Sequence, residues 1–285
     1  MEQKMTKKNM KTKQKQVIPG FGISLGVTVT MLSLIVLIPL CSLIIYTAKL
    51  SPGEFFRTVT SERVLASYRV SILTSLIAAS VNAVMGLIIA WVLVRYDFPG
   101  KKLMDGIIEL PFALPTAVAG IALTHLCVPE GWVGSFFSRF GIQVAYTRFG
   151  ITIALIFIGI PFVVRSVQPV LEKLEPEIEE AAGIMGANNS QIFARVLLPE
   201  LLPSLIAGFT MAFARGLGEY GSVVFIAGNT PYETEITPLL IMTKLEGFDY
   251  PGATAIALMM LLMAFAILFV NGLLQSYTDK VVKGR

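Results

Sequence analysis

The chain has 285 residues, of which 54% are hydrophobic and only 15% charged, with a mean hydropathy of +0.72. Soluble globular domains carry about 25% charge, so this balance excludes an ordinary water-soluble enzyme and points to membrane spans. The net charge of +4 and the pI near 9.0 come from Lys and Arg residues at the ends of apolar runs, the pattern of topology signals rather than of a nucleic-acid surface.

In chain order, residues 1–20 are polar and Lys-rich and read as a basic cytoplasmic tail held near anionic lipid. The apolar run Phe21–Tyr46 is too long for the core of a signal peptide and lacks a small-residue cleavage site, so an uncleaved first span is expected. Further apolar segments lie at roughly 68–94, 107–128, 149–165, 201–227 and 252–274, each able to cross a hydrocarbon core of about 30 Å as a helix. The expected architecture is an all-α membrane protein. Six transmembrane helices fill 21–275, with a short cytoplasmic tail over 276–285. With the N-terminus inside, 15 Lys and Arg residues fall on inner segments and 7 on outer ones, leaving Arg215 within a span. The positive-inside rule therefore places both termini in the cytoplasm and the chain in the cytoplasmic membrane.

Chemistry-bearing clusters are scarce. Cys41, Cys127 and the lone His125 sit in apolar runs without ligand spacing, so neither a metal nor a disulfide framework is expected, and nothing calls for a cofactor. No carboxylates, His or Cys gather as a membrane enzyme would need. The chain also carries no GxxxxGK[ST] phosphate loop, which argues against ATP hydrolysis by this chain.

The most informative stretch lies between the fourth and fifth segments, about 173–199. Pro176 suits a first helical turn, with Glu177, Glu179 and Glu180 where the helix dipole favours them. Gly186 interrupts the helical pattern. Asn188, Asn189 and Ser190 can cap a second helix, Gln191–Leu198, that leads through Pro199 and Pro203 into the fifth span. An interfacial helix pair resting on lipid is the alternative reading. Glu180-Ala181-Ala182, three residues, Gly186, nine residues and then Val196-x-Leu198-Pro199 resembles the EAA coupling loop of binding-protein-dependent ABC importers, with Val196 where that family prefers Ile.

The stretches DGIIELPFALPTAVAGIAL (105–123), IPFVVRSVQPVLEKLEPE (160–177), RGLGEYGSVVFIAGN (215–229) and FDYPGATAIA (248–257) are similar to the sulfate/thiosulfate permease family, subunit T. The resemblance runs from about Pro19 to Gln275. It implies a type I ABC importer permease fold and no catalysis in this chain. Its implied partners are an ATPase dimer, a second related permease subunit and an external sulfate-binding protein. Glu180, Ala181, Ala182, Gly186, Leu198 and Pro199 would form the ATPase-coupling loop. Molybdate and tungstate share the charge and geometry of sulfate, and the residues do not rank them, although molybdate permeases typically lack a matching first span.

A dianion needs donors and compensating charge in hydrocarbon. Arg215 is the one cation deep in a span, with Glu219 four residues on. The two are either an intrahelical pair that neutralises both or part of the pathway. Gly216, Gly218 and Gly221 weaken the fifth span, and Pro111 and Pro115 disrupt the third. Thr116 and Ser222 are the hydroxyl donor candidates, while Ala113, Ala117, Ala119 and Gly120 suit close helix packing.

Overall fold

The computed structural model describes residues 21–283; the basic tail at 1–20, Gly284 and Arg285 lie outside them. Of the described residues, 21–45 form one unit and 46–283 another. The first contains most of helix α1, Phe21–Thr47. This helix is apolar on every side, with no buried residue before Thr47, as suits a helix facing lipid.

The second unit opens with α2, Pro52–Val59, whose start is closed by a reciprocal Ser51–Glu54 capping box. Helix α3 then runs unbroken over Glu62–Arg95, 34 residues. The expected third span, 107–128, is not one helix. It is divided into α4, Lys101–Ile108, α5, Leu110–Ala113, and α6, Thr116–Cys127. Proline is the cause. Pro111 starts α5, and Leu114 is pushed into extended backbone (φ −84°, ψ 136°) by the proline that follows it. The 12 residues of α6 rise only about 18 Å, short of the hydrocarbon thickness. Helix α7, Trp132–Ser138, leads to α8, Arg148–Lys173. This helix outruns its expected end at 165 and passes through Pro161 and Pro169, because Val163, Val164, Val167 and Leu171 are buried against neighbouring helices and packing outweighs the lost backbone bonds.

Helix α9, Pro176–Ile184, and α10, Asn189–Ile192, follow. A π-helical stretch, Phe193–Leu197, joins α10 without a break to α11, Leu198–Leu217. Pro199 accounts for the π turn. It has no N–H to give Arg195, and its ring crowds that carbonyl in an α-helix; widening the turn relieves the clash, with Leu198 N–H reaching Phe193 O instead. The fifth span ends at Leu217, not at 227 as expected. Gly216 and Gly218 flank that end, and after a turn at 219–222 comes α12, Val223–Ile226. Helix α13, Thr237–Glu246, precedes α14, Tyr250–Lys283, so the tail expected from 276 is helical as far as Lys283. Among the described residues, five helical stretches have the length and composition to cross a membrane: α1, α3, α8, Asn189–Leu217 and Tyr250–Tyr277.

The bundle centre is built from α3, α8 and α11, and small residues set their spacing. A Cβ on Gly86 would meet Val163 at 2.7 Å, and one on Gly208 would meet the Val163 backbone at 2.8 Å. Lipid tails are as apolar as leucine, so close van der Waals contact rather than hydrophobic burial holds such helices together. The loop before α13 is tied back to the start of α3. Arg63 grips the buried Glu235 with two bonds of 2.6 and 2.7 Å. Thr237 N–H donates to Ser71 Oγ at 2.7 Å, and Ser71 Oγ–H to Thr237 Oγ1 at 3.1 Å. Arg148 donates to the carbonyls of Glu233 and Tyr232 at 2.6 and 3.3 Å.

Candidate functional site

The loop singled out in the sequence is a helix–turn–helix. Proline at the first position starts α9, and Glu177 and Glu179 occupy its first turn. Its end is a Schellman closure. Gly186 N–H bonds to Gly183 O at 2.9 Å, Ala187 N–H to Ala182 O at 3.1 Å, and Gly186 has φ +86°. This gives the Ala182–Gly186 spacing a physical meaning. The residue that closes the helix in left-handed backbone must stand four positions after the one whose carbonyl it frees for capping. Asn188 and Gln191 then form a reciprocal capping box at the start of α10, with bonds of 2.9 Å in each direction. Three capping devices in sixteen residues make this hinge a defined shape.

What the loop presents is apolar and acidic. Ile184 and Met185, at its tip, are 87% and 83% exposed. Glu180 and Ala181 are exposed, whereas Ala182 faces inward. Leu198 and Pro199 are half-buried where the loop passes into α11. An exposed apolar knob of this kind, beside a carboxylate and joined by one helix to the bundle, is the kind of feature that marks protein or membrane interaction sites.

Two contacts that sequence reasoning missed hold the loop to the bundle. Arg95, last in α3, forms an ion pair with Glu179 in α9. Its guanidinium also lies 5.5 Å from the Trp91 ring centroid, and Trp91 meets Phe193 edge-on at 5.7 Å. In the sequence, Arg95 reads as a topology charge and Glu179 as a helix-dipole residue. Nothing in one dimension joins positions 84 residues apart. A second network is Arg165, which donates to Asp105 at 2.7 Å and Glu109 at 2.7 Å. It ties the broken segment to α8.

The pathway candidates gather where α6 meets the turn after α11. Arg215 and Glu219 form an ion pair, with Glu219 just past the helix end. Glu219 is 2% exposed and also accepts from Ser222 N–H at 2.9 Å and Ser222 Oγ–H at 3.0 Å. The Ser222 hydroxyl is thus committed to Glu219 rather than free as a donor. Arg215 keeps 35% of its side chain exposed. The start of α6 packs directly on this turn. A Cβ on Gly120 would stand 2.5 Å from Ser222 O, and Gly221 lies against the Thr116 side chain. Gly120 and Gly221 therefore serve close packing, while Thr116 is half-exposed beside them. A further polar group, Asn82 in α3, is fully buried near Gly159 and Ala212, and neither end of its amide finds a partner among the described residues.

Residues 82–284 match the family of binding-protein-dependent transport system inner membrane components. The sulfate transport system permease protein CysT of Escherichia coli is 47% identical over 270 residues, which cover 95% of this chain and 98% of that protein. The protein of the same name from Synechococcus elongatus is 49% identical over 249 residues, 87% of this chain and 90% of that one. Among solved structures, a bacterial ABC transporter involved in the import of the acidic polysaccharide alginate superposes with a TM-score of 0.74. It is 18% identical, with 90% of this chain and 94% of that chain covered.

Proposed function

The chain belongs to the binding-protein-dependent transport system inner membrane components and, among them, to the sulfate transport system permeases, and on that premise we propose that it carries sulfate inward as one permease subunit of an ABC importer. It is a multi-pass inner-membrane component and not itself an ATPase; the system to which it belongs includes an ATPase and a binding protein. In our reading the ATPase is a dimer, and a second, related permease subunit completes the pore. An external sulfate-binding protein delivers the anion. Both termini face the cytoplasm, and α5–α6 count as a broken sixth crossing alongside the five long helices.

The observation that carries this reading is full-length likeness to sulfate permeases in a chain whose EAA-type loop is a capped, outward-facing knob continuous with a membrane helix. A rigid link of that kind lets displacement by an ATPase beneath Ile184 and Met185 tilt or turn α11. The far end of α11 carries Arg215. There the Arg215 guanidinium and the Thr116 hydroxyl meet the dianion, with Glu219 as the held counter-charge and Ser222 fixing Glu219.

Proteoliposomes with the ATPase, the second permease and the binding protein test this directly. Uptake of radiolabelled sulfate should require ATP and the binding protein, and the purified chain alone should turn over no ATP. Uptake of molybdate or tungstate in preference to sulfate refutes the substrate; ATP turnover by the chain alone refutes the division of labour.

A further inference from the structure

Helix α3 is held at each end by an arginine–carboxylate ion pair. At the start, Arg63 grips Glu235, a carboxylate only 1% exposed in the loop before α13. Ser71 and Thr237 add hydroxyl and amide bonds within the next two turns. At the other end, Arg95 pairs with Glu179 of α9, and Trp91 packs on Phe193 of the π turn. Between these ends lie 34 residues of uninterrupted helix, a rod of about 50 Å at 1.5 Å per residue, without proline. Its middle is in tight contact with α8 and α11 at Gly86, Asn82 and Ser75. The third segment is broken, and α8 and α11 both contain proline.

We infer that α3 is a relay: the Arg63–Glu235 pin joins it to the 230–237 loop, which in the orientation proposed above lies on the outer side from which the ligand-loaded binding protein arrives, and the Arg95–Glu179 pin joins it to the helix that carries the ATPase-facing loop. This rests on the topology and coupling-loop reading proposed above. The physical ground is stiffness. An unbroken helix moves as one body; at Arg63 the two-point grip on Glu235 fixes direction as well as distance, and at Arg95 the single bond to Glu179 is backed by Trp91 against Phe193. An inward push on the 230–237 loop is therefore delivered along α3 to α9. Arg63 and Arg95 are positioning residues, acting on the ATPase through Glu235 and Glu179.

The test uses the full reconstituted complex and compares ATP turnover with and without sulfate-loaded binding protein. In the unmodified complex the binding protein should stimulate turnover. Arg63→Ala and Arg95→Ala should each lower that stimulation about tenfold, a usual size for coupling between distant sites, with turnover in its absence within about twofold of the unmodified complex. Because the pins act in series, the double variant should be no worse than either single one. The exchange Arg95→Glu with Glu179→Arg should restore at least half of the stimulation. Where Arg63→Ala fails to accumulate in the membrane because Glu235 is stranded, Arg63→Lys takes its place. It keeps the charge but loses the two-point grip, and should cost about threefold. Stimulation unchanged in the single variants, losses that multiply in the double variant, or no recovery on charge exchange each overturn the relay. Glu180→Lys serves as the control. If it leaves ATPase association intact, the coupling-loop reading fails; if it abolishes association while the Arg95 variants behave normally, the relay alone fails.

Discussion

Gly186 offers a clean test of how backbone geometry serves coupling. Its φ of +86° lies in the left-handed region, yet a Cβ added there meets no atom within 4 Å. A substitution therefore costs conformational energy without an internal clash. For an L-residue that cost is roughly 1–2 kcal/mol, which reduces the correctly closed turn, and so the apparent affinity for the ATPase, by about 5- to 30-fold. Asparagine tolerates this region better, so the affinities should rank Gly186, then Gly186→Asn, Gly186→Ala and Gly186→Val. Gly183 is the control. It is also open on all sides within 4 Å but has no positive φ, and since it lies in the last turn of α9, Gly183→Ala gains at most about 1 kcal/mol of helix propensity. Titration of the ATPase subunit against the permease in nanodiscs, with hydrogen exchange over 176–192, gives both readings. Equal affinity for the unmodified protein and Gly186→Ala would falsify the closure argument. Equal weakening by Gly183→Ala and Gly186→Ala would show that surface bulk, not backbone, is what matters.

Gly120→Ala places a methyl group 2.5 Å from the Ser222 backbone, where no side chain can swing away. An overpacking cost of about 1–3 kcal/mol should lower the melting temperature in detergent and reduce uptake, and an unchanged melting point would refute the close packing of α6 on this turn. Arg215→Ala strands the buried Glu219 carboxylate and should cut membrane abundance, by a cost of about 3–5 kcal/mol for a broken buried pair. Adding Glu219→Gln, which still accepts from Ser222, should restore abundance but not uptake; full recovery of uptake would make the pair purely structural. Reporter fusions at the N-terminus and after Lys283 should both give cytoplasmic signals, and an external signal at either end overturns the orientation.

Hydropathy located five of the six expected segments as helices long and apolar enough to cross, because lipid imposes length and composition on each one locally. It did not locate their ends. The fourth segment was expected to end at 165, yet α8 runs on to Lys173 through Pro161 and Pro169, because burial on α3 and α11 is invisible along the chain. The glycines near 216–221 were read as weak points, and the helix indeed stops at Leu217. Whether Pro111 and Pro115 would kink or divide the third segment was not decidable from spacing, and they divide it. The shape of the 173–199 loop was legible because caps are local: Pro176, Gly186 and Asn188 act within a few residues of themselves. The pairs Arg95–Glu179 and Arg63–Glu235 were not, since each joins residues brought together only by the folded bundle.

The π turn at Phe193–Leu197 has a geometric consequence of its own. A π turn accommodates one residue more than an α turn, and one residue advances a helix by about 100° and 1.5 Å. The angular phase between the docking knob and the face of α11 that carries Arg215 is thus set by this single extra residue. Removing it would leave a helix of ordinary hydrogen bonding, continuous and still apolar. Its upstream half would be turned more than a quarter of a revolution, with Phe193 swung off Trp91 and Ile184 and Met185 aimed elsewhere. The junction is keyed like a spline, and the two halves present their faces together only in this one register.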